Sequence, residues 1–334
     1  MRFVLLLLAA LLLTLSAPAQ QDDRPTTATI RTIQPLFRIG FLRREETGHP
    51  GEQQLEQLRN ALLADPLIQR EFAATGYEGI GLFSCDGAAD MLRRLNAREF
   101  ELAFTPANLY KEQQAGYTAI LKARRPKDII APPPSDYVRR LGVVIVSPRS
   151  PLFSVPEMNA ARLRTVMGKD RIAVVSTQSV AGFHAPLLAL ARRHQLRSFD
   201  GGYLWFESSE EVVKAVLSGL APSGACEAGA VESVLVEAGL VPEGLPPAEF
   251  ARQRDRYLRV IVESDPVVTD PVVVRRGLAP RGSTLGRAIR QRIRTWSVEN
   301  RDGDIQYRDT TDDEYRALKA LLDEFNTVIG EVPR

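Results

Sequence analysis

Apolar positions along the chain fall into short β-branched runs, and these alternate with stretches where apolar residues recur at helical spacing. The first run, "FRIGFL" (37–42), predicts a buried strand. "EQQLEQLRNALLADPLIQREFAAT" (52–75) predicts a helix interrupted at Pro66. "EGIGLF" (78–83), "FELAFT" (100–105) and "YTAILKA" (117–123) predict strands, with helical segments at 88–97 and 107–115 between them. Strands alternating with helices in this way point to a mostly parallel sheet flanked by helices.

The rhythm stops at "RRPKDIIAPPPSDYVRR" (124–140), whose prolines and charges make it a connector. It then starts again. Strands are predicted at 142–147, 171–176, 202–207, 223–230 and 257–264, with helices at 157–167, 185–195, 209–219 and 231–239. A second connector, "DPVVTDP" (265–271), leads to a strand at 272–277 and to charged helices at 283–296 and 312–328. One strand with two helices makes a poor independent domain. The chain is therefore expected to return to its first unit near Asp270. That gives two lobes: 36–124 with 270–334, and 141–264. Hinge connectors at 125–140 and 263–271 join them, and the cleft between is the natural ligand site.

Ahead of the fold, Met1-Arg2, the apolar run Phe3–Leu15 and Ala17-Pro18-Ala19 read as a signal peptide ending at residue 19, followed by a leader over 20–35. The run is shorter than the roughly 20 residues of a membrane span. The expectation is an exported, periplasmic or secreted, soluble monomer. Lys+Arg 43 against Asp+Glu 41 gives a formal charge of +2, no basis for a nucleic-acid partner. Cys85 and Cys226 belong to no C-x-x-C pair and read as buried small apolar residues, although export would permit a disulfide. His49, His184 and His194 have no ligand spacing, so neither metal nor cofactor is expected.

Candidate chemistry concentrates in "VVSTQSVAGFHAPLLAL" (174–190), where a β-branched run meets hydroxyls and then a helix-forming segment. A helix start carries unpaired N–H groups and partial positive charge, which suits an anion. Ser176, Thr177 and Ser179 place hydroxyls beside it, and Gly182 permits close approach to the backbone. Ser179 could equally serve only as the helix cap.

This turn, the following Phe183 and Pro186, and the segments "EEVVKAVLSG" (210–219), "EAGAVES" (227–233), "LRVIVESDPVVTDPVVVR" (258–275) and "RDTTDDEYRALKALL" (308–322) occur in one order. In that order they resemble the periplasmic phosphate/phosphite/phosphonate-binding proteins of ABC transporters, over about Phe37 to Phe325. The resemblance implies a two-lobed type II periplasmic binding fold and no catalysis. It also implies a small anionic ligand clamped by hinge closure and a permease partner. The family turn reads Ser-Thr-Ser-Gly. Here Ser179 keeps the first hydroxyl, Val180 and Ala181 replace the next two, and Gly182 is retained. Each missing charge-assisted bond is worth about 1.5–3 kcal/mol. Asp270 matches the aspartate that pairs with the amine of amine-bearing ligands, and the family histidine falls on Ser209.

Replacement donors are expected at the carboxyl ends of first-lobe strands. Arg43 and Arg44 offer guanidinium forks, or else a self-paired loop with Glu45-Glu46. Thr105, Asn108 and Tyr110 are candidate ligand donors, or else a capped helix start. Because two hydroxyls are lost, the alternative function is an accessory protein that docks to a membrane sensor with altered or lost specificity. G-x-S-x-G, H-E-x-x-H and G-x-x-x-x-G-K-[ST] are absent from the sequence, so an enzyme is not expected.

Overall fold

Strand β1 (Leu36–Leu42) opens the alternation. Two helices follow, α1 (Glu52–Leu63) and α2 (Pro66–Thr75). They separate at Pro66, which lacks the N–H that a continuing helix needs and takes the first position of α2. Asp65 caps that helix, its carboxylate accepting from the N–H groups of Leu67 and Ile68 at 2.9 and 3.2 Å. Then come β2 (Gly79–Cys85), α3 (Ala88–Asn96), β3 (Leu102–Phe104), the single turn α4 (Ala107–Tyr110) and β4 (Tyr117–Arg124). Helix α4 stops short of the predicted 115 because Lys111–Gln114 supply no apolar side chain to bury.

The first crossing ends in β5 (Arg139–Arg140). The second lobe contains β6 (Gly142–Val146), α5 (Ala160–Met167), β7 (Ile172–Val175), a π-type turn (Val180–His184) and α6 (Ala185–His194). It continues through β8 (Tyr203–Phe206), α7 (Ser209–Ser218), β9 (Ser223–Glu227), α8 (Ala228–Glu237), α9 (Pro247–Arg254) and β10 (Arg259–Glu263). The second crossing carries β11 (Val267–Val268). The chain returns through β12 (Pro271–Arg275), α10 (Thr284–Glu299), β13 (Gln306–Asp309) and α11 (Arg316–Val328). This computed structural model describes residues 35–43, 50–124, 139–155, 160–167, 169–280, 282–299 and 305–330. The expected signal peptide, the leader through residue 34, Arg44, and residues 125–138 of the first connector lie outside them.

Six strands form the first sheet in the order β13-β4-β12-β3-β1-β2, and five form the second, β10-β6-β9-β7-β8. Both sheets are mixed, not mostly parallel. Strands of the α/β alternation pair parallel, as β1 does with β2 and β3, and β7 with β8 and β9. Strand β12 runs antiparallel to β3 and β4. The reason is connectivity: β4 leaves its sheet where the first crossing begins, and β12 enters directly after the second. The crossings also pair with each other, β5 antiparallel to β11.

Apolar residues on one face of the first sheet, including Phe37, Ile39, Leu102 and Phe104, pack with Leu55, Leu58, Ile289 and Ile293 from α1 and α10. The second sheet buries Val143–Val146 and Ile172–Val175 against α6, α7 and α8. A third buried cluster lies on the opposite face of the first sheet. It joins Met91, Tyr117 and Val273 to Val180, Ala181 and Ala185 from the second lobe. Helix α11 serves both lobes: Leu318 and Leu322 belong to this third cluster, while Phe325 joins the second-lobe core against Phe183. Cys85 and Cys226 are both buried and unpaired. Burial pushes the Cys85 thiol up to about 12 and raises Cys226 as well, so both stay protonated.

Candidate functional site

The turn at 176–184 is built by competition for its own first donors. Ser179 is extended at the N-cap and its Oγ accepts from the Gly182 N–H at 3.0 Å. Ser176 Oγ accepts from the Gln178 N–H at 3.2 Å. The N–H groups of Phe183 and His184 both donate to the Ser179 carbonyl. That leaves the first-turn N–H groups of Val180 and Ala181 without an acceptor among the described residues. Gly182 is required here: a Cβ would stand 2.7 Å from Val175 Cγ2 and 2.8 Å from Ser179 Oγ.

First-lobe residues close over this turn. Asn108 Nδ2 donates to Gln178 Oε1 at 2.8 Å, a direct bond between the lobes. Asn108 Oδ1 is buried and has no partner among the described residues. Ala181 is only 2% exposed. Val180 is likewise buried, so both amides are covered in this arrangement of the lobes.

Beside the turn lies a buried ionic cluster. Arg140 Nη1 donates to Glu227 Oε1 at 3.2 Å and to Asp270 Oδ2 at 3.3 Å. Asp270 Oδ1 accepts from the Ala107 N–H at 2.9 Å. The Glu227 N–H donates to Ser209 Oγ at 3.1 Å, and that hydroxyl stands 3.1 Å from where a Gly182 Cβ would sit. The contacts thus run around the turn from Gln178 through Asn108, Ala107, Asp270, Arg140, Glu227 and Ser209 back to Gly182.

The sequence candidates divide accordingly. Ser176, Ser179, Val180, Ala181, Gly182, Asn108 and Asp270 come together around the turn. Thr177 lies partly buried between Ser176 and Gln178. Asp270 is already engaged by Arg140 and Ala107, whereas the resemblance reserved it for a ligand amine. Thr105 is fully buried under the sheet end, its hydroxyl facing the Pro106 carbonyl. The Tyr110 hydroxyl donates to Asp312 Oδ1 and accepts from the Ala119 N–H, so it braces the first lobe internally. Burial and that carboxylate raise its pKa. Arg43, 66% exposed, pairs with Asp86 at the surface at 3.3 Å. Arg44 is outside the described residues.

Sequence reasoning missed Gln178, Glu227 and Arg140 as site residues. Gln178 sits inside the quoted motif and Glu227 opens a quoted segment, so both had a signal. Arg140 had none, because its role depends on a crossing that places it between two carboxylates distant in sequence. His184, on the far side of the turn, packs on the rings of Phe183 and Phe325 and approaches the Ser179 carbonyl with Nδ1 at 3.3 Å. Burial lowers its pKa to about 4, against the Ser179 carbonyl, which acts to raise it.

Comparison with known proteins gives a consistent picture. The sequence signature of the family described as "ABC transporter, phosphonate, periplasmic substrate-binding protein" matches residues 65–306. No curated protein matches the chain. Among solved structures, XAC2383 from Xanthomonas citri bound to ATP is 18% identical, covering 89% of this chain and 99% of that one, with a TM-score of 0.57. A binding protein component of an ABC phosphonate transporter from Pseudomonas aeruginosa is 14% identical, with 88% of each chain covered and a TM-score of 0.54. PhnD1 from Prochlorococcus marinus in complex with methylphosphonate is 14% identical, covering 88% and 99%, also with a TM-score of 0.54. At these identities the structural likeness speaks for the two-lobed fold.

Proposed function

The chain belongs to the periplasmic substrate-binding proteins of phosphonate ABC transporters, and from that premise we propose that it captures a small oxyanion at the turn 179–182. The ligand class is phosphonate, phosphite or phosphate-like. The observation that carries this reading is the pair of first-turn N–H groups at Val180 and Ala181, placed at the surface where the lobes meet. The lobes are 36–124 with 270–334, and 141–264, and they open and close about the crossings at 125–140 and 263–271. Backbone amides supply the donors that the family places on side chains. The protein is exported by its N-terminal signal, works as a monomer without catalysing a reaction, and delivers its ligand to a membrane permease. The complex of PhnD1 with methylphosphonate supports this ligand class.

A thermal-shift titration of the mature chain tests the reading, with methylphosphonate, phosphite, phosphate, sulfate and acetate as probes. A true ligand stabilises by about 2.7 kcal/mol at a hundred times its Kd, and the shift continues to grow with concentration. A flat response to every phosphorus oxyanion would remove this function and favour the sensor-docking alternative.

A further inference from the structure

Two carboxylates stand beside a turn that offers its amides to an anion. The Glu227 backbone N–H meets the turn through Ser209, its carboxylate meets Asp270 on Arg140, and Asp270 Oδ1 reaches the turn through the Ala107 N–H and the neighbouring Asn108. Left alone, the pair would carry two negative charges next to an anion site. Such a site would favour a ligand that brings its own cation. Here the protein supplies that cation. The Arg140 guanidinium sits between the two acids, with side chains only 9%, 15% and 11% exposed for Arg140, Glu227 and Asp270.

We propose that Arg140 is a specificity-determining residue that fills the cation position of the cleft, so that the protein selects oxyanions lacking an ammonium group. This inference rests on the oxyanion reading. Arginine suits the role because it remains charged and its Nη1 alone reaches both carboxylates from a tethered position. Expelling it is costly because two buried carboxylates would lose the cation between them. A ligand amine therefore meets carboxylates already engaged and pays its desolvation without return. Selection here works by occupying a place, and the anion half of the ligand is untouched by it.

Calorimetric titration of the mature chain with methylphosphonate, 2-aminoethylphosphonate and ethylammonium tests this. The wild type should bind methylphosphonate at least tenfold more tightly than 2-aminoethylphosphonate and should ignore ethylammonium. Arg140→Gln should reverse or erase that preference by a tenfold or larger gain for 2-aminoethylphosphonate relative to methylphosphonate. A wild type that binds 2-aminoethylphosphonate as tightly as methylphosphonate overturns the proposal, whether or not the variant folds. So does an Arg140→Gln protein with an unchanged ratio. If the wild type binds neither phosphonate, the oxyanion reading fails first. The role of Arg140 is then decided by whether Arg140→Gln gains a response to ethylammonium.

Discussion

His184 connects the turn to the last helix through three contacts: the Ser179 carbonyl and the rings of Phe183 and Phe325. Its neutral form fits this apolar setting, and Lys111 adds to the cost of a proton there. The folded pKa of about 4 lies below the ordinary value of 6.5, so the unfolded chain binds the proton more tightly. Stability from this group is therefore complete above about pH 6.5 and falls as the pH drops toward 4, by at most about 3 kcal/mol. The carboxylates titrate partly in the same range, so the useful quantity is a difference. His184→Gln should flatten the loss of melting temperature between pH 7 and pH 4.5 relative to wild type. Parallel curves for the two proteins would show that His184 is charged in the folded state. From the sequence this residue was legible only as a histidine without ligand spacing to another, which left packing and surface exposure equally open. The pairing with Phe325 was not legible, because it joins residues far apart in the chain.

At the scale of elements, local signals read well where one rule dominated. Pro66 divides α1 from α2 as the sequence indicates, and Gly219 ends α7 in a left-handed conformation, as its sequence suggests. The short pieces β5, β11 and β13 carried no such pattern: they are two to four residues long and exist through their partners. The contact between β6 and the turn was equally invisible, and it decides where the proposed anion site stands. Gly142 opens β6 with ordinary extended geometry, yet a Cβ there would lie 2.2 Å from the Ala181 carbonyl oxygen and 2.6 Å from Pro186 Cδ. The conflict is with backbone and a proline ring, neither of which can swing aside. Gly142→Ala should cost about 1–3 kcal/mol by overpacking, read by urea denaturation. It should also weaken methylphosphonate binding, because the displaced carbonyl belongs to one of the two donating residues. A stable variant with unaltered binding would mean that the turn tolerates displacement and that its amides do not set affinity.

The whole molecule is built on two sheets joined by paired crossings, and the surface where they meet is also the proposed site. Two-lobe organisation was legible from the repeated α/β rhythm and the return at Asp270, because strand β12 needs partners that only the first sheet provides. The closing contacts were not legible. The crossings are fastened from both sides: Thr269 Oγ1 donates to the Ala123 carbonyl at 2.6 Å and Tyr315 Oη to the Thr269 carbonyl at 3.0 Å, while Arg140 holds Glu227. Across the cleft itself, the Asn108–Gln178 bond is a polar link that parting of the lobes would break. A bond of this kind contributes about 0.5–1.5 kcal/mol net. Asn108→Ala should then shift the equilibrium toward the open form by about two- to twelvefold. If ligand binds the closed form, apparent affinity falls in proportion to the closed fraction, by the full factor where the open form predominates and by less where the closed form does. Small-angle scattering without ligand should give a larger radius of gyration for the variant, and titration with methylphosphonate a proportionately higher Kd. A higher Kd at unchanged dimensions would instead place Asn108 in direct contact with the ligand. Its buried Oδ1 would then be turned to a protonated phosphonate oxygen, and closure would be governed by the apolar surface around Val180 and Ala181.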